Sequence, residues 1–369
     1  MKKKSIKPVD TLHRKIDIKV NKSNNSKRSH TMTHAKNNQE FIAKMERDIE
    51  SSSLPEAVKR KLIANLLLLK AKKVNLLITG ATGCGKSSTI NALFDAEVSK
   101  VGVGVDPETM EIEKYELGNL VLWDSPGLGD GKEADNRHAK NLTAKLLEQD
   151  SDGNPLIDLV LVILDGSSRD MGTSFELISN VIVPNLGEDK GRIIIAINQA
   201  DMAMKGRGWD RENNKPEPEL ERFLQEKVES VRRRIKESTG IDVEPIYYSA
   251  GYKDGNAPQR PYNLTKLLYQ IVHYTPKDKR TIYANNINRD REMWKDDDDL
   301  KDYRDGILDD IAESVSEYSS VGAEIGGHVG RVIGGVPGRF LGRIGGKFLG
   351  GAFGVVKSIA KSFFRGIFG

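Results

Sequence analysis

Gly80-Ala81-Thr82-Gly83-Cys84-Gly85-Lys86-Ser87 follows a short apolar run, Val74-Asn75-Leu76-Leu77-Ile78-Thr79, and precedes Ser88-Thr89-Ile90-Asn91-Ala92-Leu93-Phe94. The run has strand length and the following stretch reads as the opening of a helix, so the glycine-rich octet lies between a strand and a helix. It fits G-x-x-x-x-G-K-[ST], a phosphate-binding loop. Gly80 and Gly85 let the backbone curl, so that successive N–H groups from Gly80 through Ser88 point at phosphate oxygens. The helix adds the partial positive charge of its N-terminus. Lys86 is placed to reach the β- and γ-phosphates, and the Ser87 hydroxyl to ligate Mg²⁺.

Four further stretches follow in a fixed order. Asp124-Ser125-Pro126-Gly127 ends the apolar strand Leu120-Val121-Leu122-Trp123, where Asp124 can hold the Mg²⁺ shell and the Gly127 N–H can sense the γ-phosphate. Between the two lies Asp106-Pro107-Glu108-Thr109-Met110, whose Thr109 can close over Mg²⁺ and phosphate. Asn198-Gln199-Ala200-Asp201 ends the next-to-last parallel strand, and Asp201 can accept two hydrogen bonds from the guanine N1–H and N2–H₂ edge. Adenine lacks that donor pair, so Asp201 discriminates by being left as an unpaired charge against the wrong base. Ser249-Ala250 ends the last strand, where a backbone N–H can meet guanine O6.

From 73 to 276 strands and helices alternate. Strands are expected at 74–79, 119–124, 157–164, 191–197 and 243–248, with 97–103 and 110–117 as candidates for an additional edge strand. Helices are expected at 86–94, 134–148, 170–182, 218–238 and 263–274. Continuous apolar runs such as Leu159-Val160-Leu161-Val162-Ile163-Leu164 suit strands buried on both faces. The expected fold is an α/β three-layer domain with a mostly parallel sheet, flanked by helices. Ahead of it, 39–72 reads as two helices: Phe41, Ile42, Met45 and Ile49 recur at three and four, and Ser53 before Leu54-Pro55-Glu56 reads as a cap. Leu62, Ile63, Leu66, Leu67 and Leu69 continue the second helix. Residues 277–320 read as a charged helical connector in which Asp296-Asp297-Asp298-Asp299 is a solvated tract rather than a metal site.

The five motifs over about 74–251 resemble the Ras-like and Era-like GTPase superfamily. More narrowly, Val101-Gly102-Val103-Gly104-Val105-Asp106-Pro107-Glu108-Thr109-Met110-Glu111-Ile112 and Leu122-Trp123-Asp124-Ser125-Pro126-Gly127-Leu128-Gly129-Asp130-Gly131 resemble YfjP-type bacterial GTPases of the Era-like group. The Thr109-Met110 pair and the strand ending Trp123-Asp124 are also similar to immunity-related GTPases. The resemblance implies GTP and GDP binding, Mg²⁺ dependence, and switch loops around Thr109 and after Gly127. Three residues depart from it. Gln199 replaces the usual Lys of the base motif. Leu128 stands where Ras has a water-orienting Gln, which implies slow intrinsic hydrolysis. Gly83 stands where potassium-activated relatives carry Asn. Asp130, Lys132, Arg137, His138, Asp165, Arg169 and Asp170 are candidates to replace the missing water-orienting group, and each reads first as a solvated side chain. A second G domain in a homodimer, or another partner, is the alternative source of that charge.

The two ends are basic. Residues 1–38 hold eleven Lys or Arg against Asp10 and Asp17, without hydrophobic period, and read as a disordered arm able to meet RNA, a ribosome or an anionic surface. Nothing in this arm reads as a signal peptide. The sole cysteine, Cys84, excludes an internal disulfide, suits a reducing cytoplasmic compartment, and reads as a small spacer. In 321–369, glycine recurs at 322, 326, 330, 334, 338, 342, 346, 350 and 354, a glycine-zipper pattern. Glycine costs a helix about 1 kcal/mol relative to Ala, so close helix approach is expected to offset it. A period of four drifts ~40° per step on an α-helix, and Pro337-Gly338 offers a break, so two helical arms are expected. On a wheel of 355–369, Lys357, Ser358, Lys361, Ser362 and Arg365 gather on one side. Val356, Ile359, Ala360, Phe363, Phe364, Ile367 and Phe368 gather opposite. Such a helix suits an anionic membrane interface on the inner face, or a docking site on the protein's own core. The expected function is a GTP-hydrolysing nucleotide switch that governs membrane association or self-assembly of this tail. The alternatives are a ribosome- or RNA-associated assembly GTPase and a non-hydrolysing guanine-nucleotide module.

Overall fold

A computed structural model describes residues 40–94, 111–129, 131–252, 258–317 and 341–369. Strand β1 (Val74–Gly80) is followed by α3 (Lys86–Phe94), then the hairpin β2 (Glu113–Leu117) and β3 (Leu120–Asp124). The chain continues through α4 (Lys132–Leu147), β4 (Leu159–Asp165), α5 (Gly172–Leu177, run on by a π-helical turn Ile178–Ile182) and β5 (Ile193–Asn198). A small hairpin, β6 (Trp209–Asp210) and β7 (Lys215–Pro216), leads to α6 (Pro218–Thr239), β8 (Ile246–Tyr247) and α7 (Leu264–Tyr274). The sheet order is β2-β3-β1-β4-β5-β8. All neighbours are parallel except β2 against β3. The last strand is two residues long, shorter than its apolar stretch 243–248 suggests.

Alternation along the central strands divides the interior into two cores. Leu76, Ile78, Leu159, Leu161, Ile163, Ile194 and Ala196 face one side, shared with α3 and α7. Leu77, Val160, Val162, Leu164, Ile193, Ile195 and Ile197 face the other, shared with α4, α5 and α6. Both faces of the sheet are covered at its centre, which is why β4 and β5 are apolar along nearly their whole length, whereas the edge strand β2 alternates Glu and Lys with Tyr115 and Leu117.

Helices from both ends of the chain extend the first core. In α1 (Glu40–Ser51) the buried residues are Phe41, Ile42, Met45 and Ile49. In α2 (Glu56–Lys70) they are Leu62, Asn65, Leu66 and Leu69, while Leu67 is 55% exposed. Pro55 itself stands at the N-cap of α2 and no side chain caps it, so Ser53 does not play the role its position suggests. The fixed φ of proline opens the helix without a hydroxyl acceptor.

Residues 277–317 fold back onto the domain. They comprise a 3₁₀ turn (Lys277–Ile282), α8 (Tyr283–Asn286), a second 3₁₀ turn (Arg291–Trp294) and α9 (Tyr303–Glu317). Tyr283, Trp294, Ile307, Ile311 and Val315 lie in the first core. The acidic run Asp296–Asp299 is engaged rather than free: Asp296 pairs with Arg260 at 2.9 Å and Asp298 with Lys266 at 2.6 Å. Among the described residues no cluster of His, Cys, Asp and Glu suits a metal ion.

The chain ends in one long helix, α10 (Leu341–Phe368). The glycines and Pro337 before residue 341, the basic arm 1–38, the candidate strand 97–103, and Thr109 and Asp130 lie outside the described residues. The wheel of the final helix divides as its sequence suggests. Val356, Ile359, Ala360, Phe363, Phe364, Ile367 and Phe368 are buried, while Ser358, Lys361, Ser362 and Arg365 are exposed. The buried face lies on the chain's own core: Phe41 meets Phe363 edge-on at 5.0 Å, and Trp294 meets Phe368 at 5.7 Å. Among the described residues no helix is long and apolar enough to cross a membrane.

Candidate functional site

The register of the parallel strands brings the singled-out residues to one edge. Ile78 pairs with Asp124, Gly80 with Ile163, and Asp165 with Asn198, so the loops after β1, β3, β4 and β5 leave the sheet together. That carboxyl-terminal edge is where open α/β sheets bind ligands.

The loop after β1 curls back over the sheet and leads into α3. A Cβ on Gly85, whose φ is +90°, would stand 2.3 Å from Asn198 Nδ2, so only glycine admits the approach of the two loops. Lys86 Nζ donates to the carbonyl oxygens of Gly80 and Ala81, both at 3.3 Å, which holds the ammonium across the loop. Thr89 Oγ1 donates to Gly85 O at 2.8 Å and shares a 2.7 Å hydrogen bond with the Tyr248 hydroxyl, anchoring the start of α3 from below. The Cys84 thiol is fully buried, and burial pushes it up to about 11, which leaves it protonated and inert.

The segment after β3 closes against this loop. Thr82 N–H donates to Leu128 O at 2.9 Å, and Leu128 N–H to Gly80 O at 3.3 Å. A Cβ on Gly127 would stand 2.1 Å from Thr82 Oγ1, so its backbone N–H is held beside the phosphate loop. Leu128 is buried and points into the second core, where it cannot orient water.

Asp124 Oδ1 is buried and has no hydrogen-bond partner. Burial pushes the carboxyl up to about 6; the nearby Lys86 ammonium pulls it down, and Glu113 pushes it up. A buried carboxylate oxygen without a donor, beside a lysine and at the end of the strand next to the phosphate loop, fits a divalent cation. Ser87, at the start of α3, would offer a hydroxyl oxygen to such an ion. Both prefer the hard, oxygen-bound Mg²⁺.

The other end of the site is tied together by Asn198. Its Nδ2 donates to Cys84 O at 2.9 Å, and its Oδ1 accepts from Ala250 N–H at 2.9 Å, so one buried amide fixes the phosphate loop and the loop after β8. Gln199 takes a left-handed φ of +60° and donates from Nε2 to Gly83 O at 2.7 Å. Asp201 is buried, and its Oδ1 accepts from Ser249 Oγ at 2.7 Å. That bond holds one carboxylate oxygen against the loop after β8. Asp201, Gln199, Ser249 and Ala250 thus come together at a distance from Asp124, with the phosphate loop between them.

Of the residues weighed as water-orienting groups, Asp165 and Asp170 accept from the backbone N–H groups of Ser167 and Gly172, so both shape local turns. Lys132 and Arg137 are exposed on α4. His138 behaves differently. It is 3% exposed, and neither ring nitrogen has a hydrogen-bond partner. Burial lowers its pKa to about 4, the Lys86 ammonium lowers it further, and Asp135 raises it. The sequence offers no sign of this, because His138 sits among exposed polar neighbours and its burial follows only from how α4 lies on the sheet. Asp135 accepts from Gly129 N–H at 2.9 Å and so ties the start of α4 to the loop after β3.

A phosphate loop, a strand-end carboxylate and a base-reading Asn-Gln-Ala-Asp loop on one parallel sheet define the P-loop GTPase class. Residues 75–199 match the family model described as 50S ribosome-binding GTPase. The chain is 28% identical to YkfA of Escherichia coli (strain K12) over 172 residues, 45% of this chain and 55% of that protein. It is also 28% identical to YfjP of the same organism over 156 residues, 41% of this chain and 50% of that protein. It therefore spans about half the length of these two relatives. Among solved structures, Toc33 from Arabidopsis thaliana in complex with GDP and Mg²⁺ is similar at 16% identity and a TM-score of 0.39, covering 66% of this chain and all of that one.

Proposed function

We propose that the chain is a nucleotide switch that binds GTP with Mg²⁺, hydrolyses it slowly, and uses its state to govern the C-terminal helix. The carrying observation is the joint placement of Lys86, Asp124, Asn198, Asp201 and Ser249 on one sheet edge, tied by the two hydrogen bonds of Asn198. Mg²⁺, when bound, neutralises charge between the outer phosphates. Ser87 at the start of α3 and Asp124 at the end of β3 would hold it, and Thr109 is assigned with them from its place in the sequence. Backbone N–H groups of the loop 80–88 receive the phosphates, apart from those of Thr82 and Cys84, which donate to Leu128 O and Ala81 O, and Gly127 N–H reads the terminal phosphate. Gln199 lies along the base and Asp201 selects guanine over adenine. Lys86 stabilises the charge that develops on phosphoryl transfer.

Leu128 leaves the attacking water without a side-chain partner, so the isolated domain turns over slowly. A charge supplied by a second copy or another partner speeds it, as an arginine finger does in other GTPases by roughly 10³–10⁵-fold. Multiple-turnover GTP hydrolysis tests this. Lys86→Ala is expected to lower the rate by roughly 10²-fold or more, and the rate per mole is expected to rise with protein concentration. A flat concentration dependence without help from a partner extract overturns the shared-site reading. No turnover with intact GTP binding leaves a guanine-nucleotide module instead.

A ribosome-associated role is the second reading. It has behind it the description of the matched family and the eleven Lys and Arg of residues 1–38. Co-sedimentation with ribosomal subunits at rising salt, with and without that arm, separates it from the membrane reading.

A further inference from the structure

Helix α3 begins at the phosphate loop with Lys86 and Ser87 and ends against one residue far away in sequence. The last carbonyls of a helix have no partner within it. Here they are taken by Asn288: its N–H donates to Leu93 O at 2.8 Å, and its side-chain amide donates to Ala92 O at 3.1 Å and to Asn91 O at 3.4 Å. Asn288 is 2% exposed. Its own carbonyl accepts from Trp294 Nε1 at 2.9 Å. Trp294 is fully buried and meets Phe368 edge-on. Arg304 closes the link by donating to both Trp294 O at 2.6 Å and Phe368 O at 2.9 Å. The helix that begins at the phosphate loop is therefore joined, through Asn288 and Trp294, to the end of α10.

The surface that α10 presents has a particular chemistry. From 341 to 369 the chain carries Arg343, Lys347, Lys357, Lys361 and Arg365 and no Asp or Glu. In the fold Lys357 lies between Asp305 at 2.9 Å and Asp309 at 2.6 Å, while the phenylalanines of the opposite face are buried. An anionic bilayer interface offers the same two things, phosphate or carboxylate groups for the cations and an apolar layer for the rings. The same side chains serve both, so docking on the core and insertion into lipid exclude each other.

The geometry points to α10 as a surface with two mutually exclusive partners, the chain's own core and an anionic lipid interface, with Asn288 and Trp294 coupling the choice to the nucleotide at the far end of α3. This rests on the proposed nucleotide binding.

Hydrogen exchange of the amides of 351–368 in the full chain, with GDP or a non-hydrolysable GTP analogue and Mg²⁺, reads the coupling directly. Affinities for both nucleotides are measured on the same samples. The analogue is expected to speed exchange by roughly fivefold or more over GDP. Trp294→Phe, which keeps the ring but removes the indole N–H, is expected to erase most of that difference while leaving GDP affinity in place. Asp305→Asn with Asp309→Asn frees Lys357 without touching α10. That variant is expected to bind vesicles of equal parts phosphatidylcholine and phosphatidylserine even with GDP. By reciprocity its ratio of analogue to GDP affinity should rise over that of the wild type, by at most the factor of the exchange effect. Equal exchange in both states while both nucleotides bind overturns the coupling and leaves the GTPase reading intact. Failure to bind either nucleotide overturns both. Faster exchange without binding to the vesicles overturns the lipid partner.

Discussion

Asp201 and His138 show how single side chains carry testable consequences. Ser249 Oγ donates to Asp201 Oδ1, and the proposed base-reading role of this carboxylate has a direct test. Asp201→Asn replaces an acceptor with a donor, and selectivity is expected to move from guanine toward xanthine, which presents an oxygen at that edge. Competition binding of GTP and XTP checks it, and unchanged GTP preference removes the assigned role. His138 carries a pH prediction. Its folded pKa is about 4 against an unfolded 6.5, so between those values the unfolded chain binds the extra proton. Stability therefore falls as pH drops through this window, by up to about 3 kcal/mol from this group. Asp124, raised from 3.8 to about 6, acts in the opposite sense: its contribution is present at low pH and lost as pH rises through 6. Urea unfolding of the wild type and His138→Leu at pH 7 and pH 4.5 isolates the histidine. The wild type is expected to lose more stability than the variant between the two conditions, and parallel losses would show that His138 is not buried in solution.

At the scale of elements, α10 makes the most specific demand. Phe364 is 2% exposed and lies between Phe41 and Phe368. Phe364→Ala removes most of a buried ring and is expected to cost about 3 kcal/mol. Thermal unfolding of the full chain reads that loss, and an unchanged midpoint would mean that α10 is not docked in solution. The strands were legible because a strand buried on both faces must be apolar throughout, and Leu159–Leu164 and Ile193–Ile197 meet that condition within the span of each strand. The helices α4 and α6 fall over the expected ranges 134–148 and 218–238, and Gly240 closes α6 with a left-handed φ of +76°. The return of 277–317 onto the core was not legible. Its charges read as a solvated tract, whereas Arg280 pairs with Asp310 at 2.9 Å and Lys266 with Asp298, so charges that look free in sequence are spent on each other.

For the whole molecule, the prediction concerns where the chain goes. Flotation of the full chain and of a chain lacking 321–369 on phosphatidylserine-containing vesicles, with GTP or GDP, is expected to show lipid binding that needs both the tail and the triphosphate. Full-length protein that stays with the soluble fraction in both states overturns the membrane role. The positions of the motifs at the strand ends were legible in the sequence, because the order of strands fixes the order of the loops that follow them. The ties between those motifs were not. That Asn198 holds the phosphate loop and the Ala250 loop together depends on β5 lying between β4 and β8.

The sequence by itself determined the α/β class, the strand-end residues of a GTPase domain, and which face of the last helix is apolar, since all three are written in local spacing and residue chemistry. Only the tertiary structure decided what that apolar face meets, that His138 is buried without a partner, and that the P-loop helix ends on Asn288. Periodicity specifies that a face must be covered; the partner that covers it is set by contacts between residues hundreds of positions apart, which no local pattern encodes. The glycine-rich octet 80–87 thus fixed one end of α3, and the fold alone showed that its other end reaches the tail.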